Sequence, residues 1–136
     1  MARNIFSKWQ ACAPYFQSIL RIVAAIMFMM AGTTKLFAFP AGVPPNGGTV
    51  KLMSQLGLAG ILETFGGFLL LIGLFTRPIA FLVSGEMAIA FFQVHFPKSP
   101  WPTINMGVAP VLYCFIWLYF SAAGAGPWSV DAKLRR

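Results

Sequence analysis

Four long apolar segments, at about 16–39, 52–75, 78–96 and 105–123, occupy most of this chain. A helix that crosses a bilayer needs about 20 apolar residues, and each segment reaches or approaches that length. Hydrophobic residues make up 58% of the sequence and charged residues 10%, so a water-soluble domain could not hide the apolar surface. Helix breakers separate the segments. AGVPPNGG at 41–48 is a proline/glycine loop. TRP at 76–78 leaves room for a tight turn, and Pro78 suits the first turn of the next helix. HFPKSPWP at 95–102 carries three prolines and cannot continue a helix. The expected fold is all-α: an integral membrane four-helix bundle, one domain over residues 1–136.

The net charge of +7 would suit a nucleic-acid partner, but its placement speaks for lipid. With both termini in the cytoplasm, Arg3, Lys8, Arg77, Lys133, Arg135 and Arg136 are cytoplasmic, and Lys51 and Lys98 lie in the outer loops. That asymmetry is the positive-inside pattern, so the expected partner is the bilayer and not nucleic acid. Arg21 interrupts the first apolar region and further spans follow, which reads as a span and not as a signal peptide.

Redox and metal chemistry find little support. Cys12 and Cys114 are expected at different depths, which argues against a disulfide. There is no CxxC motif, and the single histidine, His95, cannot supply both axial ligands of a bis-His haem. Neither a metal site nor a cofactor held by this chain alone is expected.

The informative residues are the polar ones inside the apolar segments. Arg21, Ala25, Phe28, Gly32 and Lys35 follow helical spacing along one face of the first segment, with a cation near each end. Snorkelling to the membrane surface is one reading of those cations. On the second segment Gly57, Gly60, Thr64 and Gly67 form a small-residue stripe that permits close helix approach, and Glu63 lies beside it. On the third, Glu86, Ala90 and Gln93 share a face. Counted from Thr76 at 1.5 Å per residue, Glu63 and Glu86 sit roughly 20 and 15 Å from the turn, at similar depth on neighbouring helices. Two bare carboxylates there would repel, so a proton or a cation is required. By position Lys35 suits Glu63 and Arg21 suits Glu86, while Tyr113 and Asn105 on the fourth segment are candidate hydrogen-bond donors. The candidate polar network is therefore Arg21, Lys35, Glu63, Glu86, Gln93, His95, Asn105 and Tyr113. A functional site and a structural network that fixes helix register both remain open.

AGTTKL at 31–36, ETFGGFLLLIGLFTRP at 63–78 and GAGPWSVD at 124–131 resemble the DoxX-like family of small bacterial inner-membrane proteins. The likeness runs from about Leu20 to Asp131, and Lys35, Glu63, Arg77, Ser129 and Asp131 match its motifs. HFPKSPWPTINMG followed by LYCFIWLY resembles one bacterial branch, in which a glutamate usually follows the glycine of the fourth helix; here Val108 follows Gly107. The resemblance implies four inner-membrane helices. It also implies a link to redox assemblies, since the family name comes from a small subunit associated with a thiosulfate:quinone oxidoreductase.

Three functions follow as expectations. The first is an accessory or anchoring subunit of a quinone-linked redox assembly, with quinone contact through Phe91, Phe92, Phe96, Trp101, Tyr113, Trp117 and Tyr119. Ordinary aromatic belts account for the same residues. The second is a small carrier or permease built on Glu63 and Glu86, which would need a homodimer to enclose a lumen. The third is an independent oxidoreductase, the weakest for want of a cofactor ligand set. The chain is not expected to be an enzyme on its own. Trp128 is expected at the cytoplasmic interface, with Lys133, Arg135 and Arg136 toward headgroups and Asp131 as a local cap or ion-pair partner.

Overall fold

The computed structural model describes residues 2–135, with the side chains of Ala2 and Arg3 excepted, so the expectations for Arg3 and Arg136 fall outside the described side chains. The described residues form an all-helical fold. A short helix α1 (Ala2–Ala11) leads into α2 (Ala13–Phe37), with Pro14 in the first turn of α2. α3 (Gln55–Ile72) starts at Ser54, whose hydroxyl accepts from Gly57 N at 3.1 Å as an N-cap. It ends at Gly73, where φ of +71° reverses the chain. α4 (Thr76–His95) follows directly. A four-residue helix α5 (Pro102–Asn105), α6 (Val108–Ala123) and α7 (Val130–Leu134) complete the chain. π-helical turns interrupt α3 at Leu62–Gly66 and close α4 at Phe91–His95.

Three of these helices, α2, α3 and α4, are long and apolar enough to cross a membrane, and α6 is a shorter apolar helix of 16 residues. Two expectations need correction. Asn105 does not open the fourth apolar helix; it ends α5, and α6 starts at Val108. Thr76, Arg77 and Pro78 are not the turn but the first residues of α4, and the turn is 73–75. The sequence reading also did not mark α1. Its Ile5, Phe6 and Trp9 project from one side of the helix and are exposed.

α2 packs along α3, and α4 packs most extensively on α6. The buried face of α2 is Ser18, Arg21, Ala24, Ala25, Phe28 and Gly32, the stripe that helical spacing picked out with Ser18 and Ala24 added. A Cβ on Gly32 would stand 2.5 Å from Thr64 N and 2.8 Å from Gly60 O, so glycine is what lets α2 and α3 touch backbone to backbone. Phe28, Leu70, Val83, Met87, Trp117 and Phe120 fill the core between the helices. Outward-facing Met27, Phe68, Phe81, Leu82, Ile89, Leu112 and Phe115 are all exposed. An apolar exterior on this scale fits a hydrocarbon solvent and not water.

Candidate functional site

Polar side chains gather at two levels. The first lies between α2, α3 and α4. Glu63 sits in the π turn of α3, is 4% exposed, and pairs with Lys35 of α2 through Oε2 and Nζ. This is the one salt bridge among the described residues. Glu86 of α4 lies in electrostatic range of both Glu63 and Lys35. Both of its carboxylate oxygens are buried, and neither has a hydrogen-bond partner among the described residues. Thr64 Oγ1, next to Glu63 in the chain, is buried in the same condition. Tyr113 of α6 lies in electrostatic range of Glu63, and its ring packs on Phe28 at 5.3 Å and stacks on Trp117 at 6.3 Å.

Arg21 does not reach Glu86, contrary to the pairing inferred from depth. Its guanidinium is fully buried at the other level, where it donates to Ala125 O, to Trp128 O at 2.7 Å and to Leu71 O at 3.4 Å. The reason is chemical. The end of a helix leaves carbonyls without intrahelical donors, and the segment after α6 turns its carbonyls inward. An arginine with five N–H donors meets that need better than a distant carboxylate does.

Around Arg21 the C-terminal segment is fastened at many points. Gln17 Nε2 donates to Gly124 O at 2.8 Å, and Trp128 N donates to Ser18 Oγ at 3.2 Å. Just before that segment, Arg77 donates to Ala122 O in the last turn of α6 at 2.5 Å. Ser129 caps α7 by accepting from Ala132 N at 3.1 Å and donates to Gly126 O at 2.7 Å. Asp131 reaches back across the chain: its two oxygens accept from Phe75 N and Thr76 N, each at 2.9 Å, and cap α4. The expected local cap is thus a long-range one. Partial burial would push the Asp131 carboxyl up, but the Thr76 and Phe75 donors outweigh it and hold it below the usual carboxylate range.

The remaining candidates lie apart from both levels. Gln93 is exposed and pairs with Gln55 of α3. His95 Nδ1 is 2.9 Å from Asn105 O. Asn105 donates to Ser99 O at 2.7 Å and accepts from Gly107 N at 2.7 Å, so it shapes the 96–107 connection and makes no contact with the carboxylates. The aromatic set divides: Trp117 is fully buried in the core, while Phe92, Phe96 and Trp101 are exposed. The sequence reading missed Gln17 and Ser18. Their signal was present in QSILR at 17–21, three polar residues within one turn of helix facing Arg21's side.

Comparison with known proteins places these residues. The family model described as DoxX matches residues 16–96, which include Lys35, Glu63, Arg77 and Glu86. The chain is similar to an uncharacterized protein of Haemophilus influenzae, 42% identical over 123 residues that cover 88% of this chain and 91% of that one. It is also similar to the inner membrane protein YphA of Escherichia coli, 29% identical over 125 residues that cover 85% of this chain and 81% of the other. No solved structure matches.

Proposed function

Because this chain belongs to the DoxX family of membrane proteins, we propose that it is an accessory, anchoring subunit of a redox assembly in the bacterial inner membrane, built as four spans with both termini in the cytoplasm. The observation that carries this reading is the contrast between inside and outside. The polar groups are internal and partly neutralised, and the outward faces of the helices are apolar and aromatic. Two clefts lie beside the C-terminal segment.

Supporting observations fill in the rest. α6 is about 24 Å long at 1.5 Å per residue, slightly less than the hydrocarbon thickness, a mismatch that local thinning absorbs. Arg21, Arg77, Lys133 and Arg135 belong to one end of the fold, and positive charge favours the cytoplasmic side. The redox part of the proposal rests on the family resemblance. Exposed Phe92, Phe96 and Trp101 offer the surface on which a quinone ring would stack, and no quinone held by this chain alone is proposed.

The test is extraction of the protein from its bacterial membrane in a mild detergent or in native lipid particles, followed by sizing and mass spectrometry. A larger assembly that carries a flavin, haem or quinone enzyme is the expected result. Recovery as a lone homodimer that passes a solute across reconstituted vesicles would replace this reading with the carrier.

A further inference from the structure

At the Arg21 end, the C-terminal segment leaves a cleft of ≈ 270 Å³ against the start of α4, with Arg77, Arg135, Ser129 and Asp131 in its lining. A second concavity of ≈ 410 Å³ shares Pro127 and Ser129 with it and is lined by Ile72, Trp128, Val130 and Lys133. One is polar and cationic; its neighbour is mostly apolar and begins at Ile72, the last residue of α3. We propose that the two together bind one anionic phospholipid, its phosphate in the arginine cleft and the start of its acyl chain along Ile72 and Trp128.

The charge balance selects an anion. Lys133 lines the second cleft, and Arg77 and Arg135 line the first with a single carboxylate, Asp131, which is already the acceptor for two backbone amides. Arg21 and Arg135 both lie in electrostatic range of it. None of these cations forms a salt bridge among the described residues. Arg21 is buried against carbonyls, which orient it without neutralising it. Arg77 uses one donor on Ala122 O, and a guanidinium has five in a planar fork that matches phosphate. A single water needs roughly 10–15 Å³ of such space, so a cleft of ≈ 270 Å³ has room for a phosphate and its glycerol ester. The level is right for a headgroup, because the cleft sits where α3 ends and α4 begins. Trp128 packs on Tyr15 at 5.4 Å beside it, the amphipathic aromatic pairing found at membrane interfaces.

This inference rests on the membrane reading above. Carbonate extraction, which releases peripheral proteins and leaves embedded ones, tests that reading separately. For the lipid site, the full chain in a neutral detergent is exposed to phosphatidylglycerol, phosphatidylethanolamine or inorganic phosphate. Native mass spectrometry then reads the bound adducts, and thermal unfolding reads the protection. Phosphatidylglycerol should be retained about tenfold over phosphatidylethanolamine: both carry the phosphate, but the second brings an ammonium that the surrounding arginines and lysine repel. Arg77→Gln and Arg135→Gln should each remove most of that preference, and Lys51→Gln, in the connection between α2 and α3, should leave it unchanged. Should Arg77→Gln fail to fold, exposed Arg135 decides the matter alone. Equal retention of the two lipids, or a preference untouched by Arg135→Gln, overturns the proposal. Protection by inorganic phosphate as strong as by phosphatidylglycerol at equal concentration assigns the cleft to a free phosphate and overturns the lipid.

Discussion

Removing Lys35 should damage this protein more than removing Glu63, and the asymmetry follows from Glu86. The three groups form one electrostatic unit with a single cation. Lys35→Met leaves Glu63, 4% exposed, and the buried oxygens of Glu86 without any cation. Breaking a buried pair in this way costs about 3–5 kcal/mol. Glu63→Gln leaves Lys35 with another carboxylate in range and keeps a hydrogen-bonding amide in place, so its cost should stay near 1–2 kcal/mol. Glu86→Gln should cost less than about 1 kcal/mol, since neither Glu86 oxygen gives up a hydrogen bond. The double variant Lys35→Met/Glu63→Leu removes the charged pair entirely and should recover much of the loss, because apolar replacement of a buried ion pair is often neutral.

Reversible unfolding in mixed detergent micelles, followed by near-ultraviolet signal and by the folded fraction on sizing, gives these four values, and the single variant Glu63→Leu measured beside them closes a double-mutant cycle with Lys35→Met. A coupling energy of about 2 kcal/mol or more is expected between Lys35 and Glu63. Lys35→Met no worse than Glu63→Gln, or a coupling near zero, would refute the reasoning. So would a Glu86→Gln cost equal to that of Lys35→Met. If Glu63→Gln folds normally yet no longer co-purifies with the partner assembly, the pair serves function as well as fold.

Three further predictions test other parts of the fold. Asp131→Ala should loosen the C-terminal segment and cost about 1–2 kcal/mol as a lost helix cap, with Asp131→Asn nearer to wild type, as read by limited tryptic cleavage after Lys133. Because the folded Asp131 carboxyl lies below its unfolded value, its contribution is whole above about pH 3.9 and fades as pH falls below that, so acid should release the tail in wild type and change Asp131→Asn little. Gly32→Ala should destabilise by about 1–3 kcal/mol through contact with the α3 backbone, whereas Gly85→Ala, with open space at its Cβ position, should be neutral or stabilising by about 0.5–1 kcal/mol; thermal unfolding of the pair decides it. In a background without Cys12 and Cys114, a cysteine at position 46 should react with an impermeant reagent on spheroplasts and a cysteine at position 7 should not.

Periodicity carried the sequence reading a long way along α2. The apolar and small residues at 25, 28 and 32 mark its buried face, and the glycines of α3 mark where that face docks. Lys35 and Glu63 fell out of the same logic, since depth and helix face suffice when two helices pack side by side. Depth failed for Arg21 because its partners are main-chain carbonyls at 125 and 128, and a carbonyl leaves no trace in residue identity. The docking of the C-terminal segment depends on Asp131 finding the amides at 75 and 76, a contact across more than fifty positions that no local pattern announces. Asn105 was misplaced for a related reason: the apolar count ran on through a proline-rich connection whose own short helix it terminates. α1 was legible in principle, through Ile5, Phe6 and Trp9, but it is too short to register in a search for spans.

The two polar levels answer to different constraints, and this bears on how an anchoring subunit would work. Between α2, α3 and α4 the one cation, Lys35, is paired inside the chain with Glu63, and Glu86 stands beside that pair with no cation of its own. At the other end the cations outnumber the one acid, and the surplus can be met by headgroups, phosphate or a partner. The segment from 124 to 135 belongs wholly to that end, yet it is held by Gln17, Ser18 and Arg21 of α2 and, through Asp131, by the amides of Phe75 and Thr76 at the start of α4. It therefore reads the relative position of those two helices. A partner or lipid in the proposed arginine cleft would be linked to the packing of α2 against α3, because Arg21 holds the segment that lines the cleft through Ala125 O and Trp128 O and also donates to Leu71 O of α3. By linkage, whatever stabilises that packing tightens binding at the cleft, and loss of the Lys35–Glu63 pair between α2 and α3 should weaken it.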